Sequence, residues 1–144
     1  MLAKIAALPL GLVTTDAIAA EFEVSGAPAL AEIGVTVEHL SAAEMVAVGE
    51  LRSECPALSI EDASAFVISR KGGRTLITGD GLMRSMAEKE GLSVHGTLWL
   101  LDQMVARKVV SRRDAAMALR KMVDVGSRLP ANECERRLKR WGKP

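Results

Sequence analysis

The stretch LSIEDASAFVISRKGGRTLITGDGLMR, Leu58–Arg84, carries two carboxylates in two different local settings. Asp62 lies just inside a predicted helix that follows the cap-like Ser59. Asp80 comes directly after a predicted strand, Arg74–Thr78, and one turn residue. A helix that begins with an acid and a strand that ends with one bring both carboxylates toward one edge of a parallel sheet. That edge is where open α/β sheets bind ligands.

The rest of the chain alternates strand-like and helix-like segments and then becomes helical. Short apolar runs predict strands at Leu10–Thr14 and Val35–Leu40, and Ser93–His95 is the last predicted strand. Strands that alternate with helices favour an α/β fold with a parallel sheet. A chain of 144 residues without a repeat or a linker is long enough for a core of its own. We therefore expect one domain, residues 1–144, with a basic helical portion over residues 97–144.

Each acid also has an ordinary structural explanation. Asp62 is the third residue after Ser59 in a capping-box pattern, and Asp80 fits the N-cap position of the next helix. Carboxylates at a helix N-terminus stabilise the helix electrostatically without any ligand. The basic segment Lys71–Arg74 lacks the Lys-Ser or Lys-Thr ending of a phosphate-binding loop, so it is interpreted as a simple turn.

Charge is distributed unevenly along the chain, although the net charge is only +1. Residues 1–102 contain seven Lys or Arg and 14 Asp or Glu, whereas residues 103–144 contain 12 and four. The basic part predicts binding to a polyanion such as RNA or to an acidic protein, with Arg112, Arg113 and Lys121 as candidate nucleic-acid contacts. The alternative is a solvated helical face, which composition by itself favours.

Composition and spacing argue against several other classes of protein. No apolar run has the length of a membrane span, so we expect no membrane partner. The first 20 residues have a lysine, an apolar run and small residues, as a secretion signal does. Pro9 and Asp16 interrupt that pattern, which favours a cytoplasmic protein. Cys55 and Cys134 fit no metal-ligand spacing and are expected to be free thiols.

Aromatic residues make up only 3% of the chain, so platforms for base stacking are not expected. Trp99 and Trp141 fall in predicted helices and are interpreted as packing residues. His95 lies beside a short strand and is interpreted as a polar edge residue.

Three motifs follow one another in an order and spacing that resemble the PIN-domain family. They are LSIEDA at Leu58–Ala63, LITGDG at Leu76–Gly81 and GTLWLLD at Gly96–Asp102. The resemblance extends from Pro9 to Leu138. PIN domains are metal-dependent nucleases and include the toxin ribonucleases of bacterial toxin–antitoxin pairs. The resemblance therefore implies a three-layer α/β/α fold around a short parallel sheet.

The same resemblance implies a site, a cofactor and partners. Carried over position by position, it marks Glu21, Asp62 and Asp80 as catalytic acids and as ligands of Mg²⁺ or Mn²⁺, hard cations that prefer oxygen donors. Thr78 and Asp102 come to the rim of that site. The implied activity is hydrolysis of RNA by a metal-activated water. RNA, an antitoxin-like protein and a second copy in a homodimer are the implied partners.

One family feature is absent from this sequence. PIN domains open with a central strand that ends in a metal-binding Asp, whereas this chain begins in what resembles the following helix. The nearest acid, Asp16, comes after the second family strand. We therefore expect weak metal binding and, as one alternative, loss of catalysis. The missing central strand leaves four structural alternatives open. The neighbouring strands close the gap, a strand from another chain fills it, or the fold departs from the family plan. Alternatively, a longer product begins upstream of Met1 and carries the strand.

Three functions remain open at this point. The first is a PIN-type ribonuclease that depends on Glu21, Asp62 and Asp80. The second is a non-catalytic PIN-like module that binds RNA or a protein through its basic helices, residues 107–143. The third is a receiver-like domain with Asp80 as phosphoacceptor, and it ranks last because no paired acids follow a first strand to hold Mg²⁺ for that reaction.

Overall fold

The structure, a computed structural model, describes residues 2–26 and 29–142. Its strands are β1 (Val13–Thr15), β2 (Thr36–Glu38), β3 (Thr75–Ile77) and β4 (Ser93–His95), and a 3-10 turn covers Leu30–Ile33. The α-helices are α1 (Leu2–Ala6), α2 (Asp16–Val24), α3 (Ala42–Glu54), α4 (Ile60–Ser69), α5 (Gly81–Lys89), α6 (Thr97–Ala106), α7 (Arg112–Asp124) and α8 (Ala131–Trp141). No helix within these two ranges is long and apolar enough to cross a lipid bilayer.

The strands form two separate two-stranded parallel sheets. Strand β1 pairs with β2, where Val13 lies opposite Thr36, and β3 pairs with β4, where Ile77 lies opposite His95. The predicted α/β class and the parallel pairing are confirmed. The expectation of one continuous sheet is corrected, because no strand within residues 2–26 and 29–142 joins β1 to β3.

The strands are also shorter than the apolar runs that predict them. The predicted strand Leu10–Thr14 begins only at Val13, because Gly11 has a left-handed backbone with φ of +58°. The predicted strand Arg74–Thr78 is reduced to the three residues of β3. Short strands leave few ladder hydrogen bonds, so each sheet depends on the helices packed against it.

Side-chain caps fix where several helices begin. The hydroxyl of Ser41 accepts a hydrogen bond from the backbone N–H of Glu44, and the Glu44 carboxylate accepts one in return from the backbone N–H of Ser41. Ser59 accepts from the backbone N–H of Asp62 at 3.0 Å, and Ser111 caps α7 in the same way. These bonds satisfy N–H groups that the first helical turn leaves without partners, and at Ser41 the bond is reciprocal. The predicted caps at these three serines are confirmed.

Helix α4 packs on α3 and contacts both β1 and β3. Its Ala63 and Phe66 are fully buried in a cluster with residues of α3, β3 and α5. On its other side, the buried hydroxyls of Ser64 and Thr15 lie 2.7 Å apart and share a hydrogen bond, which holds the end of β1. The two sheets are therefore connected through one central helix.

An ionic cluster makes a second connection between the sheets. Glu38, the last residue of β2, accepts hydrogen bonds from Arg74 Nη2 at 2.5 Å and from Lys71 Nζ at 2.9 Å. Lys71 also pairs with Glu44 of α3 at 2.9 Å. The hydrogen bonds from Arg74 and Lys71 lower the pKa of Glu38 to about 2. The Lys71–Arg74 turn thus ties the loop before β3 to the other sheet.

A second hydrophobic cluster lies among α6, α7 and α8. Met104 and Leu119 are fully buried there, and Trp141 is nearly so, which confirms Trp141 as a packing residue. Cys134 belongs to the same cluster as a buried free thiol. These helices therefore contribute a core of their own and position the residues at the carboxyl ends of β3 and β4.

Candidate functional site

Asp80 lies immediately beyond the carboxyl end of β3 and caps α5. One of its carboxylate oxygens accepts a hydrogen bond from the backbone N–H of Met83 at 2.8 Å. The hydroxyl of Thr78 accepts from the backbone N–H of Asp80 at 3.0 Å, which fixes the turn between strand and helix. The predicted N-cap is confirmed. The second carboxylate oxygen of this exposed residue remains available to a ligand.

The other predicted acids lie on different helices. Asp62 is half-buried in the first turn of α4, and Glu21 is exposed on α2. At the carboxyl ends of β1 and β2, Asp16 pairs with His39 at 3.0 Å. The hydrogen bond from His39 lowers the pKa of Asp16. An acidic residue thus lies beyond the carboxyl end of a strand in each sheet, but the Asp16 carboxylate already has a partner.

The predicted acids do not come together as a metal centre. Across residues 2–26 and 29–142, no group of three or more His, Cys, Asp or Glu side chains is placed so that it could hold a metal ion. Glu21, Asp62 and Asp80 therefore do not form a ligand set, and the residues present do not fit Mg²⁺ or Mn²⁺ by themselves.

Asp102, predicted at the rim of the site, has a different environment. It lies on α6, and its carboxylate accepts hydrogen bonds from Arg137 Nε at 2.9 Å and Nη2 at 2.7 Å. Arg140 binds the other oxygen of the same carboxylate. Two guanidinium groups thus neutralise Asp102 and fasten α8 to α6. In this arrangement Asp102 orients arginines and is not a free carboxylate.

A cleft opens where β3 and β4 end, beside Asp80, with a volume of about 440 Å³. We call it the arginine cleft. Thr78 and Gly79 follow β3 into its wall, and residues from the end of β4 and from the start of α8 complete it. It is lined by Thr78, Arg84, His95–Trp99, Arg128, Glu133 and Arg137, among others.

Gly96 allows one arginine to reach into the cleft. A Cβ atom at position 96 would lie only 2.7 Å from Arg84 Nη2 and 3.4 Å from the carbonyl oxygen of Thr78. Arg84 Nη2 donates a long hydrogen bond of 3.4 Å to that carbonyl. The backbone of Gly96 is extended, with φ of −117°, so the glycine matters here for space, and a side chain at this position would have to displace the guanidinium group of Arg84.

The charge of the cleft is positive. No ion pair among the residues that the structure describes involves Arg84 or Arg128, whereas Arg137 pairs with Asp102 and Glu133. Hydrogen bonds from Arg137 and Arg136 lower the pKa of Glu133, so that carboxylate is ionised and committed. Two guanidinium groups therefore remain available to an anionic ligand, and planar guanidinium groups bind phosphate through two parallel hydrogen bonds.

An aromatic pair forms part of the same wall. The rings of His95 and Trp99 are stacked, with centroids 4.3 Å apart and an angle of 12° between the planes. His95 ends β4 and Trp99 lies in the first turn of α6, so the strand-to-helix turn sets their spacing. Trp99 is only half-buried, in contrast to Trp141. Its interpretation as a simple packing residue is incomplete, because it also lines the cleft.

The basic residues singled out from the sequence lie elsewhere. Arg112, Arg113 and Lys121 are exposed on α7 and do not line the arginine cleft. Sequence reasoning missed Arg84 and Arg128, since each is a single arginine outside the most basic helices. One signal was present: Arg84 follows the Gly-Asp-Gly turn by only three residues, which places it one helical turn from the carboxyl end of β3.

Comparison with known proteins agrees with this architecture. A family model described as a PIN domain, DUF3368, matches residues 2–143, nearly the whole chain. No curated protein and no solved structure gives a significant match. PIN domains are nuclease-type α/β domains that generally use divalent metals and act on RNA or bind antitoxins. The sequence motifs, the mixed α/β fold and the matching family model together show that this chain belongs to the PIN-domain family.

Proposed function

We propose that this protein binds RNA in the cytoplasm and that the arginine cleft holds the phosphate backbone. The observation that carries the proposal is the pair Arg84 and Arg128. Both line one cleft, and neither takes part in an ion pair among the described residues. A guanidinium group without a carboxylate partner gains most from binding a phosphate, because it gives up only water in exchange.

The surroundings of the two arginines favour a nucleic acid over a small anion. The hydroxyls of Thr78 and Thr97 add polar groups at the carboxyl edge of the sheet, and the stacked His95–Trp99 pair adds a flat apolar surface. A chain of phosphates with sugars and bases matches both kinds of contact, whereas inorganic phosphate matches only the first. The exposed arginines of α7 lie outside the cleft and are of secondary importance for affinity.

Binding of a fluorescein-labelled single-stranded RNA, measured by fluorescence anisotropy at several salt concentrations, tests this proposal. We expect Arg84→Gln and Arg128→Gln each to weaken binding roughly three- to tenfold and to lower the salt dependence. Arg112→Gln and Arg113→Gln are the matched controls, because they remove the same charge outside the cleft. If the control pair weakens binding as much as the cleft pair, RNA is bound by the general charge of the helices.

A second candidate function is the metal-dependent endoribonuclease implied by family membership. The proposed catalytic acids are Glu21, Asp62 and Asp80, and the proposed cofactor is Mg²⁺ or Mn²⁺. Thr78 is proposed at the rim of that site. An antitoxin-like partner and a homodimer belong to the same proposal. Family membership and the free carboxylate oxygen of Asp80 favour it. The described acids do not by themselves fit a metal centre, so RNA binding is the first proposal and cleavage is the second.

Cleavage is tested separately from binding. End-labelled RNA is incubated with the protein and Mn²⁺ or Mg²⁺, and products are compared for the wild type, Asp62→Asn and Asp80→Asn. Metal-dependent cleavage that is lost in both variants supports the nuclease. Cleavage that persists in both variants rejects these acids as catalytic groups. RNA binding without cleavage leaves the first proposal in place and identifies a non-catalytic module.

A further inference from the structure

The cavity between the two sheets is larger than the arginine cleft, at about 500 Å³. We call it the inter-sheet groove. Strand β1 forms one side, β3 forms the other, and side chains of α4 form its floor. It is lined by Val13, Thr14, Ala65, Ile68, Leu76 and Trp99, among others.

Backbone pairing shows which groups of β1 face the groove. Thr36 of β2 donates its N–H to the carbonyl of Leu12 at 2.9 Å, and it lies opposite Val13 in the register. In a parallel pair, such a residue bonds to the two neighbours of the residue opposite it. Leu12 and Thr14 are therefore the residues of this strand that bond to β2. The N–H and C=O of Val13 point away from β2, toward the groove.

On the other side of the groove, β3 also has backbone groups that point away from its partner strand. The N–H of Thr78 donates to the carbonyl of His95 at 3.0 Å, and His95 lies opposite Ile77 in the register. By the same alternation, the N–H and C=O of Ile77 point away from β4. No hydrogen bond among the described residues uses the backbone groups of Val13 or Ile77, and each of these residues is 37% exposed although apolar.

Two unpaired strand edges that border one apolar cavity favour a particular kind of ligand, an extended peptide segment. Free N–H and C=O groups at a strand edge are a template for pairing with another strand, and an extended segment with both edges free can pair with both sides at once. Among the lining residues that the structure describes, Arg74 alone is charged, and it is engaged by Glu38. The groove therefore favours an uncharged strand with β-branched or aliphatic side chains.

We infer that the inter-sheet groove binds an extended, apolar peptide strand of a partner protein, which joins the two sheets into one sheet of five strands. No strand within residues 2–26 and 29–142 can fill this place, because each of them already has a neighbour and therefore only one free edge. In a second copy every described strand is already paired on one side, so it has one free edge and cannot pair with β1 and β3 at once. This inference goes beyond RNA binding and does not depend on it.

A synthetic peptide tests the inference on the full chain. The probe is the acetylated and amidated peptide Lys-Lys-Val-Val-Ile-Val-Thr, and the control is the same peptide with N-methyl groups on alternate apolar residues, which removes donors but keeps the side chains. We expect saturable binding of the probe, reported by a change in tryptophan fluorescence because Trp99 lines the groove, and protection of the Val13 and Ile77 amides from hydrogen exchange by NMR. Absence of saturable binding, or equal binding of both peptides, overturns the inference.

Proline variants locate the binding edge. Val13→Pro and Ile77→Pro each remove one groove-facing N–H without touching the β1–β2 or β3–β4 ladders, and we expect roughly five- to tenfold weaker peptide binding, as for one lost hydrogen bond. Val37→Pro is the matched control, because Val37 lies opposite Thr14 and its N–H faces the outer edge of β2. Weaker binding by Val37→Pro alone would place the peptide at the outer edge and overturn the inference.

Amide protection in the unmodified protein keeps the test decisive if a proline variant does not fold. If a second copy occupied the groove, the tryptophan fluorescence would depend on protein concentration. Sedimentation would then show a dimer, and the peptide would not dissociate that dimer. That outcome also overturns the inference. RNA affinity is measured in parallel and is expected to change less than twofold in Val13→Pro, which separates the groove from the arginine cleft.

Discussion

Replacing Glu38 by Gln tests whether ionic contacts hold the two sheets together. Glu38 ends β2 and accepts hydrogen bonds from Arg74 and Lys71, which precede β3 in the other sheet. A glutamine keeps the size of the side chain and one carbonyl acceptor but removes the charge. Arg74, whose side chain is 28% exposed, then loses its only described ion-pair partner.

The pKa of Glu38 sets the size of the expected effect. Lowering this pKa from its ordinary 4.5 to about 2 corresponds to an upper bound of about 3 kcal/mol in the free energy of unfolding at neutral pH. About a quarter of the Glu38 side chain is exposed, so solvent screens part of the interaction. We expect Glu38→Gln to lower the free energy of unfolding at pH 7 by about 1–2 kcal/mol.

The pH dependence has a definite sign. The folded-state pKa of Glu38 is depressed, so its contribution is complete above the unfolded pKa of about 4.5 and disappears as the pH falls toward about 2. Urea denaturation followed by circular dichroism at pH 7 and at pH 3 measures both quantities. The difference between wild type and variant should shrink at pH 3.

A matched variant, Glu23→Gln, removes a carboxylate from the exposed face of α2 that has no described ion pair. We expect it to change the free energy of unfolding by less than about 0.5 kcal/mol. If Glu38→Gln behaves like Glu23→Gln at pH 7, or if its effect is the same at pH 3, the ionic connection between the sheets does not contribute to stability.

Three further predictions concern single contacts. Thr15→Val removes the N-cap of α2 and the buried hydrogen bond to Ser64. It should lower the free energy of unfolding, measured by urea denaturation, by about 1–2 kcal/mol. A loss under about 0.5 kcal/mol would contradict that role. Gly96→Ala should displace Arg84 and weaken RNA binding roughly threefold in anisotropy, with less than about 1 kcal/mol lost in stability; unchanged affinity would remove Arg84 from the contact. Leu119→Ala, at a fully buried position, should lower the free energy of unfolding by about 2–5 kcal/mol, measured by calorimetry. A smaller loss would mean that the helical cluster relaxes around the cavity.

Local signals in the sequence were reliable where the physics is local. The serines before α3, α4 and α7 cap those helices as predicted, because a hydroxyl reaches an N–H three residues away whatever the rest of the chain does. Asp80 was identified as an N-cap for the same reason. The family resemblance was also correct, since it depended on the order of three such local motifs.

Long-range pairing was outside the reach of these signals. Asp102 was expected at the rim of an acidic site, but Arg137 and Arg140 of a helix some 35 residues later neutralise it. The Lys71–Arg74 segment was interpreted as a simple turn, yet its charges bind Glu38, which lies in another sheet. The charge pattern of a helix gives no information about which carboxylate faces it after folding.

The sequence by itself determined the α/β class, the helix starts, the PIN-domain membership and the acids Glu21, Asp62 and Asp80 that define the nuclease hypothesis. Only the tertiary structure decided that Arg84 and Arg128 share a cleft, that the three acids form no metal-ligand set, and that two strand edges border an apolar groove. The physical reason is distance along the chain. Caps and strand periodicity depend on residues a few positions apart, whereas sites form where separate elements pack against one another.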